Sequence, residues 1–164
     1  MRLQGKTAIV TGGGSGFGAG IVRKFAAEGA RVMVADIRAD AAQEIAAEVG
    51  GIAAEVHVAD GTSVNVLAEA ARAAFGEVDI LVNNAGITHT KGPMEDVSEE
   101  QFDRVFAVNC KSVFLTAKHI VPIFKSQRSG VILNVASTAG VSPRPHLNWY
   151  NASKGWMNNA TKGM

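Results

Sequence analysis

Apolar and polar positions along this chain switch between two periods, and the switching sets out a fold. Thr7 to Val10 is a short β-branched run ending at Thr11, which predicts a strand. Ile21, Val22, Phe25 and Ala26 then recur on one helical face until Gly29, where a helix stops. Arg31 to Ala35, built on Val32-Met33-Val34, predicts a second strand ending at Asp36. The alanine-rich stretch Asp40 to Val49 reads as a helix closed by Gly50-Gly51, and Ala54 to Val58 as a third strand leading into Asp60. Thr62 to Phe75 carries a helical stripe of Val66, Leu67, Ala70, Ala71 and Ala74, stopped by Gly76. Asp79 to Val82 predicts a fourth strand running into Asn83-Asn84-Ala85-Gly86. After a polar loop from Ile87 to Asp96, Ser98-Glu99-Glu100-Gln101 has the form of a capping box. The helix it opens runs to about Phe124, with a break expected near Asn109 and a kink or early end at Pro122. Val131 to Val135 predicts a fifth strand, Ser137 to Asn148 a loop, and Trp149 onward a last helix.

Strands alternating with helices of this length imply right-handed βαβ crossovers. The expected fold is therefore α/β, a doubly wound parallel sheet in three αβα layers, forming a single domain over residues 1–164 with no repeat or linker. In such a sheet a ligand sits beyond the carboxyl ends of the strands, where the winding reverses. Gly12–Gly18, Asp36, Asp60, Asn83–Gly86 and Ser137 all follow a predicted strand end, so they are expected on one rim.

Composition narrows this further. Hydrophobic residues at 47% with only 19% charged fit a helix-covered sheet. A net charge of +1, with no lysine/arginine run, gives no reason to expect nucleic acid. No apolar stretch approaches the roughly 18 residues of a membrane span. Met1 to Gly5 leads straight into the first strand, leaving no room for a secretory signal. The single cysteine, Cys110, excludes an internal disulfide and fits a reducing compartment, so a cytoplasmic protein is expected. Cys110 itself reads as a small buried residue rather than a nucleophile. His89 and His146 read as exposed loop histidines, and without carboxylate or cysteine partners no metal site is expected.

Two constellations carry chemistry. In Thr11-Gly12-x-x-x-Gly16-x-Gly18 a glycine-rich turn joins a strand to a helix, aiming backbone N–H groups and a helix N-terminus at a phosphate. Glycine allows the positive-φ turn and the close backbone approach. Asp36, 18 residues beyond Gly18, has the spacing of a carboxylate that binds an adenosine ribose. It would repel a 2′-phosphate, which favours NAD over NADP. Asp60 either contacts the adenine edge or caps the following helix. Tyr150 and Lys154 form the second constellation, at i and i+4 on one helical face. A phenol of pKa about 10 needs roughly 4 kcal/mol to become a base near neutral pH. An ammonium about 4 Å away supplies close to that at an effective dielectric of about 20. Ser137 can then polarise a substrate oxygen while Tyr150 moves the proton. Alone, the Tyr–Lys pair would read as an ordinary exposed pair on an amphipathic helix.

Taken together, Thr11-Gly-x-x-x-Gly-x-Gly18, Asn83-Asn-Ala-Gly86, Asn109, Ser137 and Tyr150-x-x-x-Lys154 resemble the short-chain dehydrogenase/reductase family, along the whole chain and in family order. The Tyr-Asn-Ala-Ser-Lys-Gly stretch is similar to its 3-oxoacyl-carrier-protein-reductase-like branch. The resemblance implies a Rossmann fold and hydride transfer between NAD and a secondary alcohol or ketone. It assigns Tyr150 as acid/base, Ser137 as substrate-orienting, Lys154 to the nicotinamide ribose and the tyrosine pKa, and Asn109 to a relay water. Cofactor contacts would come from Gly12, Ser15, Gly16, Phe17, Gly18, Asp36, Ile37, Asp60, Gly61, Asn83, Ala85 and Gly86, with Tyr150 and Lys154. Ser137, Thr138, His146 and Tyr150 would meet the substrate, with His89, Ala139, Leu147 and Trp149 as further wall residues. A homo-oligomer packed through the helix around 109–124 is also implied.

Relatives of this kind continue well past the Tyr/Lys helix, so the expectation is that this sequence belongs to a longer polypeptide and that its fifth strand lies at a sheet edge. The substrate is not legible. A non-catalytic dinucleotide-binding or scaffolding module is the alternative, but it has no need of a Tyr–Lys pair. An enzyme binding a mononucleotide or sugar nucleotide is disfavoured by the joint presence of Asn83–Gly86 and Tyr150–Lys154.

Overall fold

A computed structural model describes residues 1–164. Along the chain run β1 (Thr7–Thr11), α1 (Gly16–Ala27), β2 (Arg31–Asp36), α2 (Ala39–Val49), β3 (Ile52–Glu55), α3 (Gly61–Phe75) and β4 (Ile80–Asn83). They are followed by α4 (Glu99–Phe106), α5 (Ser112–Gln127), β5 (Val131–Asn134) and α6 (Asn148–Gly163). All five strands are parallel, in the order β3-β2-β1-β4-β5. The chain winds outward from β1 through β2 to β3, returns to β4 on the other side of β1, and then adds β5. The reversal falls between β1 and β4, whose carboxyl ends carry Gly12 and Asn84.

Register explains why β1 is central. Ile9 pairs with Met33 and Leu81, while Val10 pairs with Val34 and Val82. Successive side chains point to opposite faces, so the first set joins Val64, Leu67, Leu115 and Ile120 of α3 and α5 in one core. The second joins Val22, Ala42 and Ile45 of α1 and α2 in the other. Every residue of β1 is buried, as a strand covered on both faces requires. β5 is less covered: it is an edge strand, and Val131 and Leu133 are exposed.

Three expectations are corrected. The third strand lies at Ile52–Glu55, not Ala54–Val58; the apolar Val56 and Val58 belong to the segment that leaves the sheet and folds over its carboxyl end. Pro122 does not end its helix, which continues to Gln127. Pro122 and Lys118 are both exposed, so water can take the carbonyl that proline's missing N–H leaves free. The capping box is half made: Ser98 accepts from the Gln101 N–H at 3.3 Å, but the Gln101 side chain reaches Thr90 instead of returning to Ser98. The break near Asn109 is a π-helical turn, Ala107–Lys111, between α4 and α5.

Candidate active site

The glycine-rich turn is shaped by close packing against the end of β4. Gly12 has φ +63°, and a Cβ there would lie 2.9 Å from Asn84 Nδ2. A Cβ on Gly18 would run into the Gly12 carbonyl. Asn84 makes the pinch, donating from Nδ2 to the carbonyls of Thr11 (2.9 Å) and Gly12 (3.0 Å). Thr11 answers by accepting at Oγ1 from the Asn84 and Ala85 N–H groups and donating to the Val82 carbonyl. Ser15 caps α1 without any side-chain hydrogen bond, which leaves the first N–H groups of that helix free for a ligand.

A cleft of about 380 Å³ opens over this turn, lined by Gly12, Ser15, Phe17, Gly18, Asp36 and Ile37 on one side and Asn84 to Ile87 on the other. Val56, His57 and Val58 close its far end. Asp36 is 7% exposed, and its two oxygens accept from Gly14 N–H (2.9 Å) and Arg38 N–H (3.0 Å). Each oxygen keeps a lone pair, so the carboxylate is fixed in place with capacity to spare.

A second pocket adjoins the first, lined by Phe17, Asn84, Gly86, Ile87, Thr88, Val135, Ala136, Ser137, Leu147, Tyr150 and Lys154. Phe17, Asn84, Gly86 and Ile87 border both, so the two cavities meet. Ser137 Oγ accepts from Ala139 N–H at 3.1 Å, which leaves its own proton to donate into the pocket. Lys154 is 4% exposed, and its Nζ donates to the Val135 carbonyl at 3.0 Å. Burial pushes this amine below its ordinary range. The neighbouring Cys110 thiol is pushed up to about 11 by burial, so it is inert at neutral pH.

Asn109 is fully buried at the centre of the π turn. Its Oδ1 accepts from Ile87 N–H, and its Nδ2 donates to the Ile87 carbonyl and to Ser153 Oγ, all at 2.9 Å. Ser153 Oγ passes the contact on to the Tyr150 carbonyl at 2.7 Å. The side chain of Asn109 thus fastens the loop after β4 to the first turn of α6, the turn that carries Tyr150.

Some sequence-assigned residues lie elsewhere. Asp60 caps α3, accepting from Ser63 N–H at 2.7 Å, and does not line the cleft; His57 takes that position. Gly61, the first residue of α3, faces Leu115 instead of the cleft. Asn83 is buried between Asn134 and Thr116, a strut under the sheet end, while its neighbour Asn84 faces the ligand side. His89 is buried, contrary to the exposed loop position expected of it, with Nδ1 against the Thr90 carbonyl. Among the wall candidates Leu147 lines the pocket, whereas Trp149 turns away to pack on Phe102 and donate to the Met94 carbonyl. Thr138 and His146 are exposed and Ala139 is buried, and none of the three lines the pocket. Gly16 and Ser15 complete the turn between β1 and α1. His57 is a cleft residue the sequence reading missed, whereas Asn84 was covered only as a member of the Asn83–Gly86 cluster. No helix is long and apolar enough to cross a membrane.

Residues 6–164 match a family model described as short chain dehydrogenase. The chain is 47% identical to the 4-formylbenzenesulfonate dehydrogenase TsaC1/TsaC2 of Comamonas testosteroni, with all of this chain and 67% of that protein aligned. The 3-ketoacyl-(acyl-carrier-protein) reductase of Brucella melitensis, solved with NADH, superposes with a TM-score of 0.96 at 44% identity, covering 98% of this chain and 69% of that one. A short chain dehydrogenase/reductase of Burkholderia phymatum, solved with NAD, gives 0.95 at 33% identity, covering 99% and 60%. This chain therefore spans about two thirds of the length of the proteins it matches.

Proposed function

The chain belongs to the short chain dehydrogenase family, and from that premise we propose that it is an oxidoreductase passing a hydride between NAD(H) and a secondary alcohol or ketone. The observation that carries the reading is the meeting of two cavities. One ends at a buried, backbone-held Asp36, the other is walled by Ser137, Tyr150 and Lys154, and they share Phe17, Asn84, Gly86 and Ile87.

The residues present fit a nicotinamide dinucleotide. Asp36 has lone pairs left for ribose hydroxyls, the uncapped start of α1 suits a diphosphate, and Ile37, Val56 and Val58 offer apolar walls to an adenine. When bound, the cofactor supplies or accepts the hydride. Ser137, with its oxygen already accepting from Ala139, donates its proton to the substrate oxygen and sets its orientation. Tyr150 delivers or removes the proton at that oxygen. Lys154, on the same pocket wall, would bind the nicotinamide ribose. Preference for NAD over NADP rests on Asp36, whose carboxylate opposes a 2′-phosphate. Its free, buried thiol at Cys110 fits a reducing, cytoplasmic setting. Self-association through the helix around 109–124, the π turn and α5, is also proposed.

The test is a panel of secondary alcohols and ketones assayed with NAD and NADP at the absorbance of the reduced nicotinamide. Wild type is expected to turn over with NAD in preference to NADP. Tyr150→Phe should lose about 10²–10⁴-fold in kcat while keeping its affinity for NAD. Full activity in Tyr150→Phe, or equal use of the two cofactors by wild type, would overturn the corresponding part of the reading.

A further inference from the structure

Resting on the oxidoreductase reading above, we infer that Gly140 is a positioning residue for catalysis. Its missing side chain lets the turn that carries Ser137 lie on the backbone of Lys154, which fixes where the Ser137 hydroxyl stands relative to Tyr150.

The segment from Val135 to Gly140 touches Lys154 at both of its ends. At the start, the Val135 carbonyl accepts from Lys154 Nζ at 3.0 Å. At the finish, Gly140 meets the main chain of the same residue. A Cβ on Gly140 would lie 2.6 Å from the Lys154 carbonyl carbon, 2.7 Å from its oxygen and 2.7 Å from Asn158 Nδ2. Ser137 lies between these two contacts and lines one pocket with Tyr150 and Lys154. The turn is closed on itself: Ser137 Oγ accepts from Ala139 N–H at 3.1 Å, and the Ser137 carbonyl accepts from Gly140 N–H at 3.0 Å. Whatever displaces Gly140 therefore carries the Ser137 hydroxyl with it.

Gly140 has no left-handed backbone, so contact and not conformation excludes a side chain here. Of the two sides of that contact, α6 is the fixed one. Asn151, Ser153, Lys154 and Met157 are buried along it, and Asn109 Nδ2 holds Ser153 Oγ at 2.9 Å. The turn is the side that yields, because Val141 to His146 behind it are all exposed. Widening 2.6 Å to an ordinary contact of 3.4 Å moves the turn away by about 0.8 Å. A reacting group misplaced by about 1 Å costs on the order of 10²-fold in rate.

The test uses NAD and the secondary alcohol of the panel above that wild type oxidises fastest. Gly140→Ala should lower kcat by about 10²-fold. Its affinity for NAD should stay unchanged, because no residue of the turn lines the Asp36 cleft. Gly20→Ala, where a Cβ meets nothing within 4 Å, should leave both quantities unchanged. Ser137→Ala should itself cost on the order of 10²–10³-fold, the effect of losing one donor to the substrate oxygen. The decisive variant combines Gly140→Ala with Ser137→Ala. Once the hydroxyl is gone its placement has no effect, so the double variant should match Ser137→Ala within about twofold. A merely structural role for Gly140 would multiply the two losses instead. That outcome overturns the inference, as does wild-type kcat in Gly140→Ala. If Gly140→Ala melts too low to assay, the comparison is repeated with Gly155→Ala present in every variant. The added Cβ meets the Gly140 carbonyl at an ordinary 3.6 Å, and alanine strengthens the helix. Loss of the fold there as well makes Gly140 a folding requirement and overturns the inference. NAD binding by wild type without turnover of any alcohol in the panel overturns the oxidoreductase reading and this inference with it.

Discussion

Lys154 shows the physical chemistry of the site in one side chain. Burial holds its ammonium below the usual value of 10.5, and one carbonyl, Val135, is its hydrogen-bond partner. A lysine whose folded-state pKa lies below its unfolded value binds protons more weakly when folded. Stability therefore rises with pH between the lowered folded pKa and 10.5, and the full cost is present below the folded pKa. Burying an ammonium costs roughly several kcal/mol, whereas its single charge-assisted bond to Val135 returns roughly 1.5–3 kcal/mol, so desolvation wins. Lys154→Met is accordingly expected to raise the melting temperature of the cofactor-free protein at neutral pH, with the gap closing as pH approaches 10.5. The same variant should lose turnover and bind NAD more weakly. Melts followed by tryptophan fluorescence at two pH values check this; a lower melting point at neutral pH contradicts it. At this scale the sequence was a good guide to residue type and a poor one to orientation. Asp36 lines the first cavity, and Ser137, Tyr150 and Lys154 line the second. Asp60 and Asn83 do not serve the cleft, because a strand-end carboxylate equally well caps the next helix, and a one-residue step at the end of β4 turns a side chain from ligand to core.

At the scale of elements, the site depends on how the end of β1 is joined to the end of β4. Thr11 Oγ1 satisfies the N–H groups of Asn84 and Ala85, and Asn84 satisfies the carbonyls of Thr11 and Gly12. Thr11→Val keeps the shape and removes the acceptor, leaving two backbone donors short of a partner. A buried donor left unmade costs about 1–3 kcal/mol, so the variant should unfold at clearly lower urea concentration. Affinity for NAD should fall as well, because Asn84 and Gly86 border both cavities. An unchanged urea midpoint would remove Thr11 from this role. Element types were legible throughout, because periods of two and near four are written into the apolar positions. Boundaries slipped where an apolar run outlives its strand, as at Val56 and Val58, and where a helix tolerates an exposed proline, as at Pro122. The π turn at Asn109 was visible only as a break, since one extra residue in a helix leaves no composition signal.

For the molecule as a whole, the near-zero net charge conceals a strong internal division. Along the run from α4 to α5, the exposed residues Glu99, Glu100 and Asp103, with Arg104 beside them, stand at one end and Lys111, Lys118 and Lys125 toward the other. Between Lys111 and Lys118, Phe114 is 54% exposed, a large apolar side chain with little cover from its own chain. A second copy laid antiparallel about a two-fold axis near Phe114 would cover that ring and set each acidic end against a basic one. A parallel arrangement would oppose like charges, so the charge pattern selects the antiparallel one. The expected state in solution is thus a dimer that uses this face. Asp103→Lys and Lys125→Glu should each weaken it, and the double exchange should recover most of the loss. Exposed pairs contribute roughly 0.2–1 kcal/mol each, and symmetry doubles every pair, so a single reversal should raise the dissociation constant by about 2- to 30-fold. Sedimentation over a concentration series measures this directly. Recovery in the double variant is the decisive result, because two unrelated surface changes would add their losses instead of cancelling them.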